Sequence, residues 1–132
     1  YAISGEAKYL PFFEKNWDKM GGFAAISFLE NYALIAAETD ATTMVNAAKK
    51  LEVIGVNMTT SPWRRFAAMN GINSFHAKIA EDMGMEEDET KLAALKTIDT
   101  SIVELIENIK TKEENDRLKS MYLRFPTPEV KP

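Results

Sequence analysis

The amino-acid sequence predicts an all-α fold: an antiparallel up-down four-helix bundle with an N-terminal arm and a short Pro-rich C-terminal tail. Apolar residues recur every three or four positions through most of the chain, which is the period of an amphipathic helix. No segment alternates apolar and polar residues over the length of a strand. Capping residues and prolines divide the pattern into segments that short loops can join. We therefore assign residues 1–22 to the arm, 23–125 to the bundle and 126–132 to the tail.

Length and composition are those of one globular domain. The chain has 132 residues, of which 45% are hydrophobic, and a formal net charge of −4. This acidic balance argues against nucleic acid as a partner, and no apolar run reaches the roughly 18 residues that a membrane span needs. Cysteine is absent, which excludes disulfides, thiolate metal ligands and a Cys nucleophile. We expect a monomer that does not span a membrane.

The arm is rich in aromatic residues. Only the segment after Pro11 has room for a short helical turn, because glycines interrupt the rest. Terminal segments are disordered unless something holds them, and this one is too apolar for a free tail. We expect it to pack along the domain or to dock on a partner through Tyr9, Leu10, Phe12, Phe13 and Trp17.

Two apolar stripes occupy the next part of the chain. One runs from Phe23 to Glu38 and the other from about Ala41 to Val56, and both have helical spacing. Glu38-Thr39-Asp40 offers a helix cap between them. Two separate helices and one long kinked helix over Phe23–Val56 both fit this pattern.

The stretch around Trp63 is the expected corner of the fold. Ser61 can cap a helix and Pro62 suits its first position, where the missing N–H is no loss. Because Trp is mostly buried, we expect Trp63 to anchor one end of the core. The helix should run to Met83, with Gly84 as its C-cap, and Gly71 in its middle indicates a close helix contact.

The second half of the chain contains the clearest helical pattern. Carboxylates at residues 86–89 precede a helix whose apolar stripe runs from Leu92 to Ile109. Thr111 and Glu114 have the spacing of a capping box, which predicts a last helix to about Arg124. The prolines at 126, 128 and 132 then exclude further helix.

The residue types argue against catalysis. His76 is the single histidine, so neither a di-iron bundle nor a Ser-His-Asp triad can be assembled, and no glycine-rich phosphate loop is present. We expect no enzyme activity, no metal and no cofactor. We expect the protein to act through an interface with a partner. The seven Met residues and the aromatic content leave a heme- or pigment-binding bundle as an alternative.

Basic side chains and the phenylalanines of the arm are the candidate contacts with a protein partner. Arg64 and Arg65 are the strongest candidates, because they lie beside the Trp63 corner. Charged side chains at the rim of a protein interface set the rate of encounter and its salt dependence. A solvated helix face is the alternative for each basic pair. The full set is Lys49, Lys50, Arg64, Arg65, Lys110, Lys112, Arg124, Phe12 and Phe13, with Pro62 and Trp63 in structural roles.

The order of the pieces after residue 62 carries a family resemblance. The helix from Trp63 leads into an acidic, lysine-bearing loop, and the next helix has a Leu-x-x-Leu pattern followed by Asp99-Thr100-Ser101-Ile102-Val103-Glu104-Leu105. A last helix with Lys119 and Tyr122 follows Lys110-Thr111-Lys112. This run to Phe125 resembles the Q-type extrinsic subunit of photosystem II, a lumenal four-helix-bundle protein of the oxygen-evolving complex.

The resemblance implies a non-catalytic protein of the chloroplast thylakoid lumen, peripheral to the membrane. It implies docking on photosystem II lumenal subunits and other extrinsic proteins, with stabilisation of the manganese cluster and retention of calcium and chloride. The different arm and the early stop at the tail indicate a divergent member from a diatom or another red-lineage alga. A start at Tyr1 without Met fits removal of a transit peptide, and a shortened chain is the alternative. An unrelated helical protein-interaction domain remains an alternative function.

Overall fold

A computed structural model describes residues 7–128, and within that range every regular element is helical. The predicted all-α class is therefore confirmed. The first six residues of the arm and the last four of the tail lie outside the described range. The helices are α1 Leu10–Asn16, followed by a 3-10 turn at Trp17–Lys19, α2 Gly22–Ala37, α3 Ala41–Gly55, α4 Pro62–Met85, α5 Glu89–Lys112 and α6 Asp116–Tyr122.

Helix α4 is the centre of the packing, because it contacts α2, α3 and α5, whereas α2 and α3 touch each other only lightly. Helix α3 also packs on α5. Gly71 allows the closest approach: a Cβ there would lie 2.9 Å from Leu51 Cδ1 and 3.1 Å from the Cβ of Ala33. The close contact predicted at Gly71 is thus confirmed. The largest fully buried side chains are Tyr32, Tyr122, Phe75, Leu29, Leu51, Met69, Ile72, Ile79, Ile102, Ile106 and Ile109.

The segment Phe23–Val56 forms two helices. Asp40 separates α2 from α3, because its side chain accepts a hydrogen bond of 2.8 Å from the backbone N–H of Thr43. A carboxylate at this position satisfies an N–H that has no partner inside the helix. The two-helix alternative is therefore the one observed, and Asp40 is the cap that the sequence offered.

Two predicted boundaries are wrong. Helix α4 continues through Gly84 to Met85, so that glycine is not a C-cap. The expected capping box does not form, because α5 continues through Thr111 to Lys112 and the hydroxyl of Thr111 donates to the carbonyl of Asn108. Asn115 caps α6 instead, accepting from the N–H of Leu118 at 3.1 Å, and α6 ends at Tyr122.

The described part of the arm, residues 7–22, packs along the domain. Its helix begins at Leu10, with Pro11 in the first turn as expected, and both Leu10 and Trp17 are buried. The ring of Phe13 lies 4.5 Å from that of Phe28, and Trp17 meets Tyr32 edge-on at 4.9 Å between ring centres. Of the two roles expected for the arm, packing on the domain is the one observed.

Candidate docking surface

The corner at the start of α4 has the predicted backbone and an unpredicted side-chain arrangement. Ser61 caps the helix by accepting from the N–H of Arg64 at 3.2 Å, and Pro62 is the first helical residue. Trp63, however, is 54% exposed. The expectation of a buried anchor is wrong: Trp63 is the second residue of α4, and the described residues leave more than half of its side chain in solvent, although Ala67, one turn later on that side of the helix, is buried.

Arg65 occupies the core-facing position instead. It precedes the buried Ala68 and Met69 by three and four residues, the spacing of one helix face. Its guanidinium forms a two-pronged pair with Glu113, Nε to Oε1 at 3.0 Å and Nη2 to Oε2 at 2.7 Å. With Arg65 only 4% exposed, the prediction that it is an accessible docking charge is wrong.

The Arg65–Glu113 pair joins three parts of the chain. Arg65 Nη1 donates to the carbonyl of Thr60 in the loop before α4, at 2.7 Å. Glu113 Oε2 also accepts from the backbone N–H groups of Glu114 and Asn115, in the turn after α5. Buried charges are tolerated when each is paired and hydrogen-bonded, and here both are. The pair therefore holds the start of α4 against the end of α5, and we call it the Arg65–Glu113 lock.

Protonation of Glu113 is opposed by this arrangement. Burial would raise the pKa of the Glu113 carboxyl, but hydrogen bonds from Arg65 and from the N–H groups of Asn115 and Glu114 outweigh burial and hold the pKa below its usual value. Sequence reasoning missed Glu113, because its partner lies 48 residues away and the apparent capping box offered a different role for this stretch.

Arg64 links the corner to the arm. Its guanidinium donates to the backbone carbonyl of Met20 and, at 3.4 Å, to the hydroxyl of Thr60. The side chain is half-buried. Arg64 thus has a structural contact and still presents part of its charge to solvent, which keeps it as a candidate contact residue.

Two other predicted contact lysines are tied to the protein. Lys50 pairs with Glu14 of the arm at 2.8 Å, although its side chain remains 51% exposed. Lys110 is half-buried and donates to the carbonyl of Phe125 at 2.6 Å, which holds the start of the tail against α5. Among the remaining candidates, Phe13 is half-buried, and the exposed ones are Lys49, Lys112, Arg124 and Phe12.

The ends of several helices meet around the corner, and we call this end of the molecule the base. Arg64 contacts Met20, three residues before Phe23. Phe66, one helical turn after Trp63, stacks on Tyr122, the residue before Leu123. These contacts bring three exposed apolar side chains to the base: Phe23 at 87%, Leu123 at 82% and Trp63.

The base also contains a depression of about 340 Å³ between the arm, the end of α3 and the corner. Trp17, Val53 and Arg64 contribute to its walls together with two acidic residues, Glu14 and Asp18, and Val53 is exposed. Sequence reasoning did not single out Val53 or Leu123 as contacts. The available signal is that Val53 falls off the apolar stripe of its helix.

The single histidine lies elsewhere, on the seam between α4 and α5. His76 Nδ1 is 2.7 Å from Asp99 Oδ1, and both side chains are half-buried. They line a groove of about 910 Å³ together with Met83, Glu107 and Pro126. Within residues 7–128, no three His, Asp or Glu side chains are grouped so as to hold a metal ion.

Comparison with known proteins adds no relative. No protein-family model matches the chain, and neither a curated protein nor a solved structure matches it. Across residues 7–128, none of the helices has the combination of length and apolar character that crossing a bilayer requires.

Proposed function

We propose that this chain is an extrinsic, non-catalytic subunit of photosystem II, docked on its lumenal face in the chloroplast thylakoid and peripheral to the membrane. On this proposal it binds lumenal subunits and other extrinsic proteins as a monomer. It stabilises the manganese cluster and helps to retain calcium and chloride. The proposal includes an antiparallel up-down arrangement of α2 to α5 with a Pro-rich tail, and an origin in a diatom or another red-lineage alga.

One observation carries the proposal. Helices α4 and α5, each of 24 residues, follow the Trp63 corner and are joined by an acidic connection, the order in which the chain resembles the Q-type extrinsic subunit. The Arg65–Glu113 lock and the buried core favour a rigid bundle. The exposed apolar residues of the base favour an interface at that end. Phe23, Trp63 and Leu123 are exposed at this end of the molecule, and exposed apolar side chains form interaction sites where they make a continuous patch.

Rebinding to photosystem II tests the proposal. The purified chain is mixed at low salt with photosystem II membranes stripped of their extrinsic proteins, and bound protein and oxygen evolution are measured. We expect binding that high salt reverses, together with recovered oxygen evolution. Membranes that retain their extrinsic proteins are the control, since their sites are occupied. Failure to rebind at low salt would remove the proposal.

A second candidate function, heme or pigment binding, is favoured by one observation. His76 and Met83 lie seven residues apart on α4 and line the same groove of about 910 Å³. Asp99 contacts His76 Nδ1, which leaves Nε2 for a ligand, and such an outer partner orients a ligating histidine. Heme titration tests this candidate: a Soret band abolished by His76→Ala supports it, and a colourless protein after titration excludes heme.

A further inference from the structure

The two ends of the molecule differ in charge. Helix α4 is about 36 Å long at the usual rise of 1.5 Å per residue, so its two ends are well separated. At its far end, residues 81–89 contain six carboxylates and no basic side chain. We call this end, which includes the α4–α5 connection, the tip.

The base carries the opposite excess. Residues 49–65, at the end of α3 and the start of α4, contain four basic side chains and one acidic. Residues 110–124, from the end of α5 through α6, contain five basic side chains and three acidic. Arg65 and Glu113 cancel each other inside the protein, and Lys112 and Arg124 are exposed. The chain is therefore acidic in total, but these two segments of the base carry a positive excess, and Glu14 and Asp18 at the depression reduce it only locally.

Three exposed apolar side chains lie at this basic end, whereas the tip has one, Met85, which is 71% exposed. Phe23, Trp63 and Leu123 are exposed there, and the depression beside Val53 and Arg64 opens at the same end. Aromatic and Arg side chains in contact with a pocket are the residues that dominate binding free energy at protein interfaces. Positive charge around them accelerates encounter with an acidic surface.

We propose that the base is the docking face, that its partner is an acidic protein surface offering an apolar side chain to the depression beside Val53, and that the tip points away. This inference rests on the proposed function for the identity of the complex. Its physical basis, a basic apolar end opposite an acidic one, holds for any acidic partner. An acidic partner surface would repel the six tip carboxylates and attract Arg64, Lys112 and Arg124, which sets the orientation.

Blocking each end tests the orientation in the full chain. The protein has no cysteine, so a single introduced cysteine can be coupled to a maleimide polyethylene glycol. We compare Leu123→Cys at the base with Glu87→Cys at the tip for binding to the stripped photosystem II membranes. We expect coupling at position 123 to weaken binding about tenfold or more, as loss of an interface centre does, and coupling at position 87 to leave it within about twofold.

A carboxymethyl column tests the charge argument without photosystem II. At pH 7 and low salt we expect retention of the chain despite its net charge of −4. The double variant Lys112→Gln with Arg124→Gln, which removes two positive charges, should elute at a clearly lower salt concentration. The matched tip variant Glu86→Gln with Glu87→Gln should elute at an unchanged salt concentration, because charges farther away than a Debye length of about 10 Å at 0.1 M salt are screened.

The outcomes separate the two proposals. Column retention that depends on the base, with no binding to the membranes, overturns the proposed function and leaves the basic docking face standing. Retention that follows total charge, rising with the tip variant as much as it falls with the base variant, overturns the docking face. Membrane binding that is lost on coupling at position 87 and kept at position 123 also overturns it.

Discussion

The N-terminal arm and the Trp63 corner each contain one tryptophan, and the two side chains have opposite environments. In the arm, Trp17 is 8% exposed and lies edge-on against Tyr32. In the corner, Trp63 is more than half exposed. The arm contributes the buried side chains of Leu10 and Trp17 to the core. The corner, where a buried tryptophan was expected, contributes an exposed one.

The difference teaches that burial follows from what packs against each position and not from the residue type alone. Phe13 and Trp17 of the arm lie against Phe28 and Tyr32 of α2. At the corner, the inward position of the first turn belongs to Arg65, and Glu113 compensates its charge there. Trp63, two residues earlier, keeps more than half of its side chain in solvent.

The largest expected effect is at the corner. Glu113→Ala leaves the buried guanidinium of Arg65 without its partner, and breaking a buried pair in this way destabilises proteins by about 3–5 kcal/mol. The matched change in the arm is Lys50→Ala, whose pair with Glu14 is exposed and should contribute about 0.5 kcal/mol. Urea unfolding measures both free energies. Equal losses would contradict the contrast between a buried and an exposed pair.

The two tryptophans give the next largest contrast. Truncating a buried aromatic side chain costs about 3–5 kcal/mol, and we expect Trp17→Ala to approach that range. Trp63→Ala should change the free energy of unfolding by about 0.5 kcal/mol or less, as exposed substitutions do. Thermal and urea unfolding of the two variants decide between these values. A larger loss from Trp63→Ala than from Trp17→Ala would reverse our description of the arm and corner.

The corner should also be sensitive to acid. Because the pKa of Glu113 is lower in the folded protein than the unfolded value of about 4.3, its contribution to stability is present above that value. The contribution is lost as the pH falls through the folded pKa. Urea unfolding between pH 7 and acid pH should show this loss. The double variant Arg65→Met with Glu113→Leu, which lacks both charges, should show a shallower decline; an unchanged decline would assign the acid sensitivity to other carboxylates.

The smallest contrast concerns two buried tyrosines. The hydroxyl of Tyr32 donates to Glu14 at 2.6 Å, so Tyr32→Phe should lose about 1 kcal/mol. Among residues 7–128 the buried hydroxyl of Tyr122 has no hydrogen-bond partner, so Tyr122→Phe should leave stability unchanged or raise it by up to about 1 kcal/mol. Urea unfolding compares the two. A clear loss in Tyr122→Phe would indicate that its hydroxyl has a partner after all.

The sequence predicted most of the helical framework. Periodicity located α2 to α5, and Asp40, Ser61 and Pro62 marked helix starts that the structure confirms. The same local reasoning failed at Thr111. Glu113, two residues later, is held by Arg65 and the turn after α5, so the cap moves to Asn115. The predicted set of contact residues was wrong at Arg65 for a similar reason, since residue type alone does not distinguish Arg65 from Arg64.

Helix positions were determined by the sequence itself, because apolar spacing, caps and prolines act over one or two turns of the chain. Tertiary structure alone decided that a charged Arg65 can be buried beside Glu113, which tryptophan faces solvent and where charges accumulate. Those properties depend on which helix faces meet. Glu113 and Arg65 lie 48 residues apart, and no local pattern in either segment records that they come within hydrogen-bonding distance.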